Sequence, residues 1–168
     1  MHRRPRESQR AQRHHAFASH NHPRRDIRTH FADYAEFHQT AGNKLFHRVG
    51  IPMIMLSLLG MMARWKLGSV SSMQVDAAMV LIVLAQILYL RMEWRLALLM
   101  LLVSILFYFA GAALPFVANA VLFVLGWILQ FIGHSVYEHR QPAFLTNAVH
   151  LLVGPLWILN DVVPVVKR

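Results

Sequence analysis

The chain has no cysteine and only eight acidic residues among its 168. Without thiols it can form no disulfide, no zinc–thiolate site and no thiol nucleophile. There is also no Gly-x-Ser-x-Gly nucleophile elbow, no His-Glu-x-x-His zinc-protease motif, and no phosphate loop or dinucleotide fingerprint. Any metal must therefore be held by histidine, by one of the few carboxylates or by backbone oxygen.

Positive charge is concentrated at the start of the chain. The formal net charge is +9, and ten of the 17 Lys and Arg residues lie before residue 49. Residues 1–25 are rich in Arg and His and poor in apolar residues, which predicts a disordered basic tail. Such a tail suits anionic lipid headgroups, and a transit peptide stays open as an alternative. We expect no nucleic-acid partner, because no basic fold interleaved with aromatic residues is visible.

The rest of the chain is strongly apolar. Hydrophobic residues make up 56% of the composition, and the mean hydropathy is +0.39. We predict one membrane-embedded catalytic domain over residues 26–168, an all-α polytopic helix bundle with four spans and a fifth broken or re-entrant segment. The expected spans are 46 or 49 to 63, 75–92, 94–114 and 116–132, and the fifth apolar stretch is 148–166.

The distribution of Lys and Arg between the loops predicts the orientation. The basic N-terminal side is expected to be cytoplasmic, in a bacterial inner membrane or the endoplasmic reticulum. The second and fourth spans then end on that same side. His134, after the fourth span, therefore returns to the face that holds His38 and His47, whichever way the protein is inserted.

A helix break is needed between the first two histidines. His38 and His47 are nine residues apart, so one straight helix would place them on opposite faces. Gly42 can end the first helix and Asn43 can cap the next. A turn at this point would let the two imidazoles face each other.

A second polar group ends the fourth span. Gln130, His134 and Glu138 follow each other at intervals of four, which places them on one face of a continuing helix. Polar side chains at the end of an apolar span are costly unless they face a bundle interior. The alternative for Glu138 is a pairing with His139 or Arg140 at the lipid interface.

Two or three imidazoles with a carboxylate suit non-haem Fe(II), with Zn(II) or Mn(II) as alternatives. The ligands expected are His38, His47, His134 and Glu138. Asp161 and His150 are weaker candidates that share a face only if Gly154-Pro155 leaves the helix unbroken. The alternative for Asp161 is a solvated carboxylate near the basic C-terminus.

Two other classes of function stay open. A metal or proton transport protein would need polar residues through the depth of its spans, but the second and third spans carry only Gln86 and Ser104. A non-catalytic membrane scaffold would bind no metal. It leaves the regular spacing of the second polar group unexplained. The oligomeric state is open.

The two polar groups resemble the motifs of the 2-hydroxy fatty acid dioxygenase family. The first is Phe37-His38, Asn43-Lys-Leu-Phe-His47 and Gly50-Ile-Pro52. The second, longer and more specific, is Gly126-Trp-Ile-Leu-Gln130-Phe-Ile-Gly133-His134-Ser-Val-Tyr-Glu138-His-Arg140-Gln-Pro142. Asn147, Pro155 and Asp161 continue the likeness, which covers roughly residues 31–163.

The resemblance implies a small multi-span membrane enzyme of fatty acid α-oxidation. Such an enzyme uses Fe(II) and O₂ to shorten a 2-hydroxy long-chain fatty acid by one carbon with release of CO₂; in yeast this serves sphingolipid breakdown. His38, His47 and His134 match the expected iron ligands. Glu138 would be a fourth ligand or an orienting base.

Three further residues receive roles in this reading. Asn43 and Gln130 would orient ligands or the substrate carboxylate, and Arg140 would pair with that carboxylate through its guanidinium fork.

The sequence departs from the yeast member of the family at two positions. Gln39 stands where the motif has a second histidine directly after the first, and Asp161 stands where that member has a glutamate. The first change bears on whether the site has four histidines. The second shortens a possible ligand by one methylene group.

Overall fold

The computed structural model describes residues 26–145 and 147–167, so the predicted basic tail lies outside the described residues. The described chain is built mainly from α-helices. These are α1 Ile27–Glu36, α2 Ala41–Met62, α3 Ala77–Met92, α4 Trp94–Ala113, α5 Phe116–Ile132 and α6 Val149–Val162. A π-helical segment, Gly133–Glu138, directly continues α5, and a 3₁₀ turn spans Ala143–Leu145.

Within the part of the chain that the structure describes, three helices are long and apolar enough to cross a membrane. They are α2, α4, and α5 together with its π-helical continuation to Glu138. Helix α3 has 16 residues, about 24 Å at 1.5 Å per residue, and falls short of a hydrocarbon core of about 30 Å. The prediction of four full spans is therefore confirmed for three helices only.

The expected loop before the second span is a β-hairpin. Strand β1 (Lys66–Val70) pairs antiparallel with β2 (Met73–Asp76), in a register that sets Gly68 opposite Val75. The predicted helix start at 75 is therefore wrong, and the all-α class needs this small correction. Asp76 ends the hairpin and caps α3, because its buried carboxylate accepts hydrogen bonds from the Met79 backbone N–H at 3.1 Å and the Tyr108 hydroxyl at 2.7 Å.

The fifth apolar stretch was predicted to be broken or re-entrant, and the first of these alternatives is wrong, whereas the second stays a prediction. Helix α6 continues through Gly154-Pro155 instead of breaking there. Its 14 residues give a length of about 21 Å, too short for a full span. The helix packs against α1, where Tyr34, Val153 and Trp157 lie in one buried cluster. Together α1 and α6 cover one end of the bundle.

Helices α2 and α5 run antiparallel at very close range. A Cβ placed on Gly50 would lie 2.9 Å from the carbonyl oxygen of Gly126, and a Cβ on Gly126 would lie 2.7 Å from a side-chain carbon of Ile54. Glycine at both positions lets the two backbones approach, as small residues do between membrane helices. This contact brings the end of α5 back to the start of α2, where both predicted polar groups lie.

Gly126→Ala should push α5 away from α2 and lower stability by about 1–3 kcal/mol, the usual cost of overpacking. Helix propensity alone predicts the opposite sign, since alanine favours a helix by about 1 kcal/mol over glycine. The measurement is thermal unfolding in detergent.

The matched control is Ala112→Val, which adds more volume at an exposed position on α4. It should leave the melting temperature unchanged. An undisturbed melting temperature in Gly126→Ala would show that the close approach does not constrain the bundle.

Candidate metal centre

The turn between α1 and α2 positions the first histidine. Helix α1 ends at Glu36, and α2 begins after Thr40, whose side-chain oxygen accepts a hydrogen bond from the Asn43 backbone N–H at 3.3 Å. The prediction placed this break at Gly42 with Asn43 as the cap, which is wrong by three residues. The hydroxyl of Thr40 is the capping group, and Asn43 lies within the first turn of α2.

Gly42 has a packing role instead of a helix-ending one. A Cβ at this position would overlap the ring of Tyr137 in the π-helical segment. The missing side chain lets the first turn of α2 lie directly against the segment that carries His134 and Glu138. The two predicted polar groups are thereby pressed together.

Three histidines converge where these elements meet. The ring centroids of His38 and His47 are 4.3 Å apart, those of His38 and His134 4.9 Å, and those of His47 and His134 4.8 Å. One nitrogen from each ring can be chosen so that all three lie within 4.8 Å of one another. All three residues are buried, with exposed fractions of 2% or less. We refer to His38, His47 and His134 as the histidine triad.

Backbone carbonyls orient two of the three rings. Nδ1 of His38 lies 2.7 Å from the carbonyl oxygen of Tyr34, and Nδ1 of His47 lies 3.0 Å from that of Asn43. A ring that donates through Nδ1 presents the lone pair of Nε2, which is the usual arrangement of metal-binding histidines.

The free nitrogen atoms fit a metal ion. Nε2 of His38 and Nδ1 of His134 are buried without a hydrogen-bond partner. Burial lowers the pKa of His38 to about 4, so its ring is neutral and its lone pair available at neutral pH. Three close imidazoles, two of them with an unsatisfied buried nitrogen, suit Fe(II), Zn(II) or another divalent transition metal.

Glu138 lies beside the triad and is hydrogen-bonded to the turn that carries His38. One of its carboxylate oxygens accepts hydrogen bonds from the Thr40 backbone N–H at 2.8 Å, the Thr40 hydroxyl at 3.2 Å and the Asn43 side-chain amide at 3.2 Å. His134 and Glu138 were expected to share one face of an α-helix. The structure has a π-helical turn there instead, a geometry that is common at functional sites. As placed, Glu138 fits the orienting role of the two predicted for it.

The two predicted amides also border the triad. Asn43 is fully buried, and its amide nitrogen donates to the Phe37 carbonyl at 3.1 Å as well as to Glu138. Gln130 is buried with its amide nitrogen unpartnered, and it lines the same cavity as the triad. Asn43 therefore holds the protein scaffold, whereas the amide nitrogen of Gln130 lies against Gly50 without a hydrogen-bond partner, and its role toward a ligand stays a prediction.

Three other candidates lie apart from the triad. His150 lines the cavity next to Tyr34 and Phe37. Asp161 pairs with Arg48, whose Nε donates to its carboxylate at 2.8 Å. Arg140 is exposed, and its pairing with a substrate carboxylate stays a prediction.

Sequence reasoning missed the role of Arg48. It directly follows His47, and its ion pair ties α2 to α6. The sequence could have indicated this ion pair, because Arg48 stands at the edge of one apolar span and Asp161 within another apolar stretch, and each charge needs a partner there.

A cavity of about 380 Å³ extends from the triad into the bundle. Apart from the histidines and Gln130, most of its wall is apolar, with aliphatic side chains from α2 and α3 and the ring of Trp127. A long apolar cavity that ends at three imidazoles suits a molecule with an acyl chain and a polar head.

The comparisons with known proteins agree with this geometry. The sequence model of the family described as 2-hydroxy-palmitic acid dioxygenase Mpo1-like matches residues 24–164. The chain belongs to the Mpo1-like family. It is 31% identical over 137 residues to the 2-hydroxy-palmitic acid dioxygenase MPO1 of Saccharomyces cerevisiae, covering 81% of this chain and 79% of that protein. No solved structure matches.

The structure places both departures of this Mpo1-like chain from the yeast member outside the histidine triad. The side chain of Gln39 is exposed, and its amide nitrogen donates to the Glu36 carbonyl at 3.3 Å. Asp161 lies in its ion pair with Arg48. Neither position contributes an atom to the histidine triad, so both changes leave the triad intact.

His134→Ala should abolish metal retention, because two imidazoles seldom hold a divalent ion through purification. The measurement is metal content by mass spectrometry after loading with Fe(II) under anaerobic conditions. The control is His139→Asn, which removes an exposed neighbouring imidazole. Asparagine tolerates the left-handed backbone conformation at this position (φ 53°). Equal metal content in both variants would contradict the assignment of His134.

Variants of Glu138 should separate an orienting role from a ligating one. Glu138→Gln keeps an oxygen acceptor for Thr40 and Asn43, so it should retain most of the metal affinity. Glu138→Ala removes the acceptor and should weaken binding by roughly 10–100-fold, as loss of an orienting partner does. Affinity is measured by Co(II) titration followed by absorption spectroscopy, and an equal loss in both variants would indicate direct ligation.

Proposed function

We propose that the chain is an Fe(II)-dependent membrane dioxygenase that shortens 2-hydroxy long-chain fatty acids by one carbon with release of CO₂. The observation that carries the proposal is the position of the histidine triad at the end of an apolar cavity. Family membership supports it, because the yeast relative is named a 2-hydroxy-palmitic acid dioxygenase. The function thus belongs to fatty acid α-oxidation.

The reaction balances without a further co-substrate. One 2-hydroxy acid and one O₂ give the acid shortened by one carbon, CO₂ and water, with cleavage of the bond between C1 and C2. All four electrons needed to reduce O₂ come from the substrate, so no 2-oxoglutarate is required. Fe(II), when bound by three imidazoles, supplies open coordination positions for O₂ chemistry.

The protein groups hold and shield the reacting end of the substrate. His38 and His47 are fixed by the carbonyls of Tyr34 and Asn43, so the triad is preorganised. The free amide of Gln130 can donate to the carboxylate or hydroxyl of the substrate. The apolar walls exclude water around the C1–C2 bond and accept the acyl chain.

The membrane placement follows from charge and helix length. We propose a cytoplasmic N-terminus, because the basic residues gather on that side of the first span. The triad then lies near the cytoplasmic boundary of a bacterial inner membrane or of the endoplasmic reticulum. A substrate that is dissolved in the bilayer would enter with its carboxylate at this boundary.

The rival functions have less support. A transport protein needs a polar route across the bundle, but the cavity wall away from the triad is largely apolar. A scaffold has no use for buried imidazole nitrogens without partners, which are costly to bury.

Wild-type protein loaded with Fe(II) should convert 2-hydroxyhexadecanoic acid to pentadecanoic acid in air, measured by mass spectrometry of the fatty acids. The product should disappear with His47→Ala and with a chelator, and persist with His139→Asn. Iron-loaded wild-type protein that converts no 2-hydroxy acid of any chain length would overturn the proposed function.

A further inference from the structure

One face of α2 forms a continuous wall of the cavity. The lining residues recur at helical spacing over more than three turns. They are His47, Ile51, Ile54, Met55, Leu58 and Leu59. The wall therefore begins at a triad histidine and continues as an aliphatic stripe into the bundle.

The length of this stripe matches a particular acyl chain. The twelve steps from His47 to Leu59 correspond to about 18 Å along the helix axis at 1.5 Å per residue. A carbon–carbon bond of about 1.5 Å at an angle of about 111° advances an extended chain by about 1.25 Å per bond. Sixteen carbons, joined by fifteen bonds, therefore extend over about 19 Å by the same geometry.

The far end of the cavity is closed by a packed cluster. Leu59, Ala63 and Ala78 are buried together, with exposed fractions of 5% or less. Leu81 and Ile82 of α3 line the cavity and also pack against this cluster, so they form its floor. Ala85 lies one turn further along α3 than Leu81 and therefore closer to the triad. It also lines the cavity and packs on the other core cluster, as Ile51 and Met55 do.

We propose that the floor formed by Leu59, Leu81 and Ile82 sets the maximum acyl-chain length at about sixteen carbons. The inference rests on the proposed function and adds the residues that determine chain-length specificity. Methylene groups beyond the floor have no space in the packed cluster, and shorter chains leave apolar wall unfilled. A longer chain would have to displace packed side chains, and a shorter chain buries fewer methylene groups, so both deviations weaken binding.

Two substitutions should move the preferred length in opposite directions. Leu81→Ala lowers the floor and should raise kcat/KM for 2-hydroxyoctadecanoic relative to 2-hydroxyhexadecanoic acid by roughly tenfold, the effect of burying about two more methylenes. Ala85→Leu narrows the cavity midway. It should favour 2-hydroxydodecanoic over 2-hydroxyhexadecanoic acid by at least the same factor.

Leu84→Ala is the matched control, since Leu84 is on α3 but is 56% exposed and does not line the cavity. Its length profile should equal that of the wild type. A second readout, independent of turnover, is native mass spectrometry of metal-free protein with a mixture of 2-hydroxy acids of 12 to 20 carbons. The bound lengths should shift as the kinetic profiles do.

The outcomes distinguish the two proposals. An active wild type whose profile is unchanged in Leu81→Ala and Ala85→Leu would overturn the floor assignment and leave the dioxygenase function standing. A profile that shifts equally in Leu84→Ala would also overturn it. A wild type that binds hydroxy acids with the expected length dependence but converts none would support the floor and overturn the dioxygenase function.

Discussion

The burial of three imidazoles at one point is the constraint on which the rest of the structure depends. Nε2 of His38 and Nδ1 of His134 are buried with no hydrogen-bond partner from the protein, as expected of nitrogens that bind an ion. The bundle must therefore hold the three rings in fixed positions. It does so through the close approach of α2 and α5 at Gly50 and Gly126, which fixes the spacing between His47 and His134.

The hydrogen bonds around the triad give this end of the molecule its order. Glu138 ties the π-helical segment to the turn at Thr40, and that turn carries His38. The ion pair of Arg48 with Asp161 ties α2 to α6, which covers the same end. Polar groups are thus concentrated around the triad, whereas the cavity wall beyond it is aliphatic. This division gives the cavity a polar part at the triad and an apolar part beyond it.

Much of the site could be predicted from the sequence because it depends on spacing and on the number of crossings. Nine residues between His38 and His47 require a break, which the structure has just before α2. The structure also brings His134 to their side, as the predicted number of crossings required, although only three of the described helices are long enough to cross a membrane. The β-hairpin and the π-helical turn could not be predicted in this way. The hairpin ends at Asp76, whose carboxylate accepts hydrogen bonds from Tyr108 and Lys66. Tyr108 is distant in sequence, and Lys66 lies in a segment that reads as an ordinary loop. The π-helical turn depends on packing against α2.

The position of Glu138 shows how a departure from regular α-helix changes which groups a carboxylate can reach. On an α-helix, His134 and Glu138 would face one way and both could reach a single ion. The wider π-helical turn leaves His134 in the triad and directs Glu138 to Thr40 and Asn43. The carboxylate then holds the turn that carries His38, and the candidate metal centre is formed by the three imidazoles. A metal ion held by three protein ligands keeps a coordination position open, as it does in catalytic metal sites.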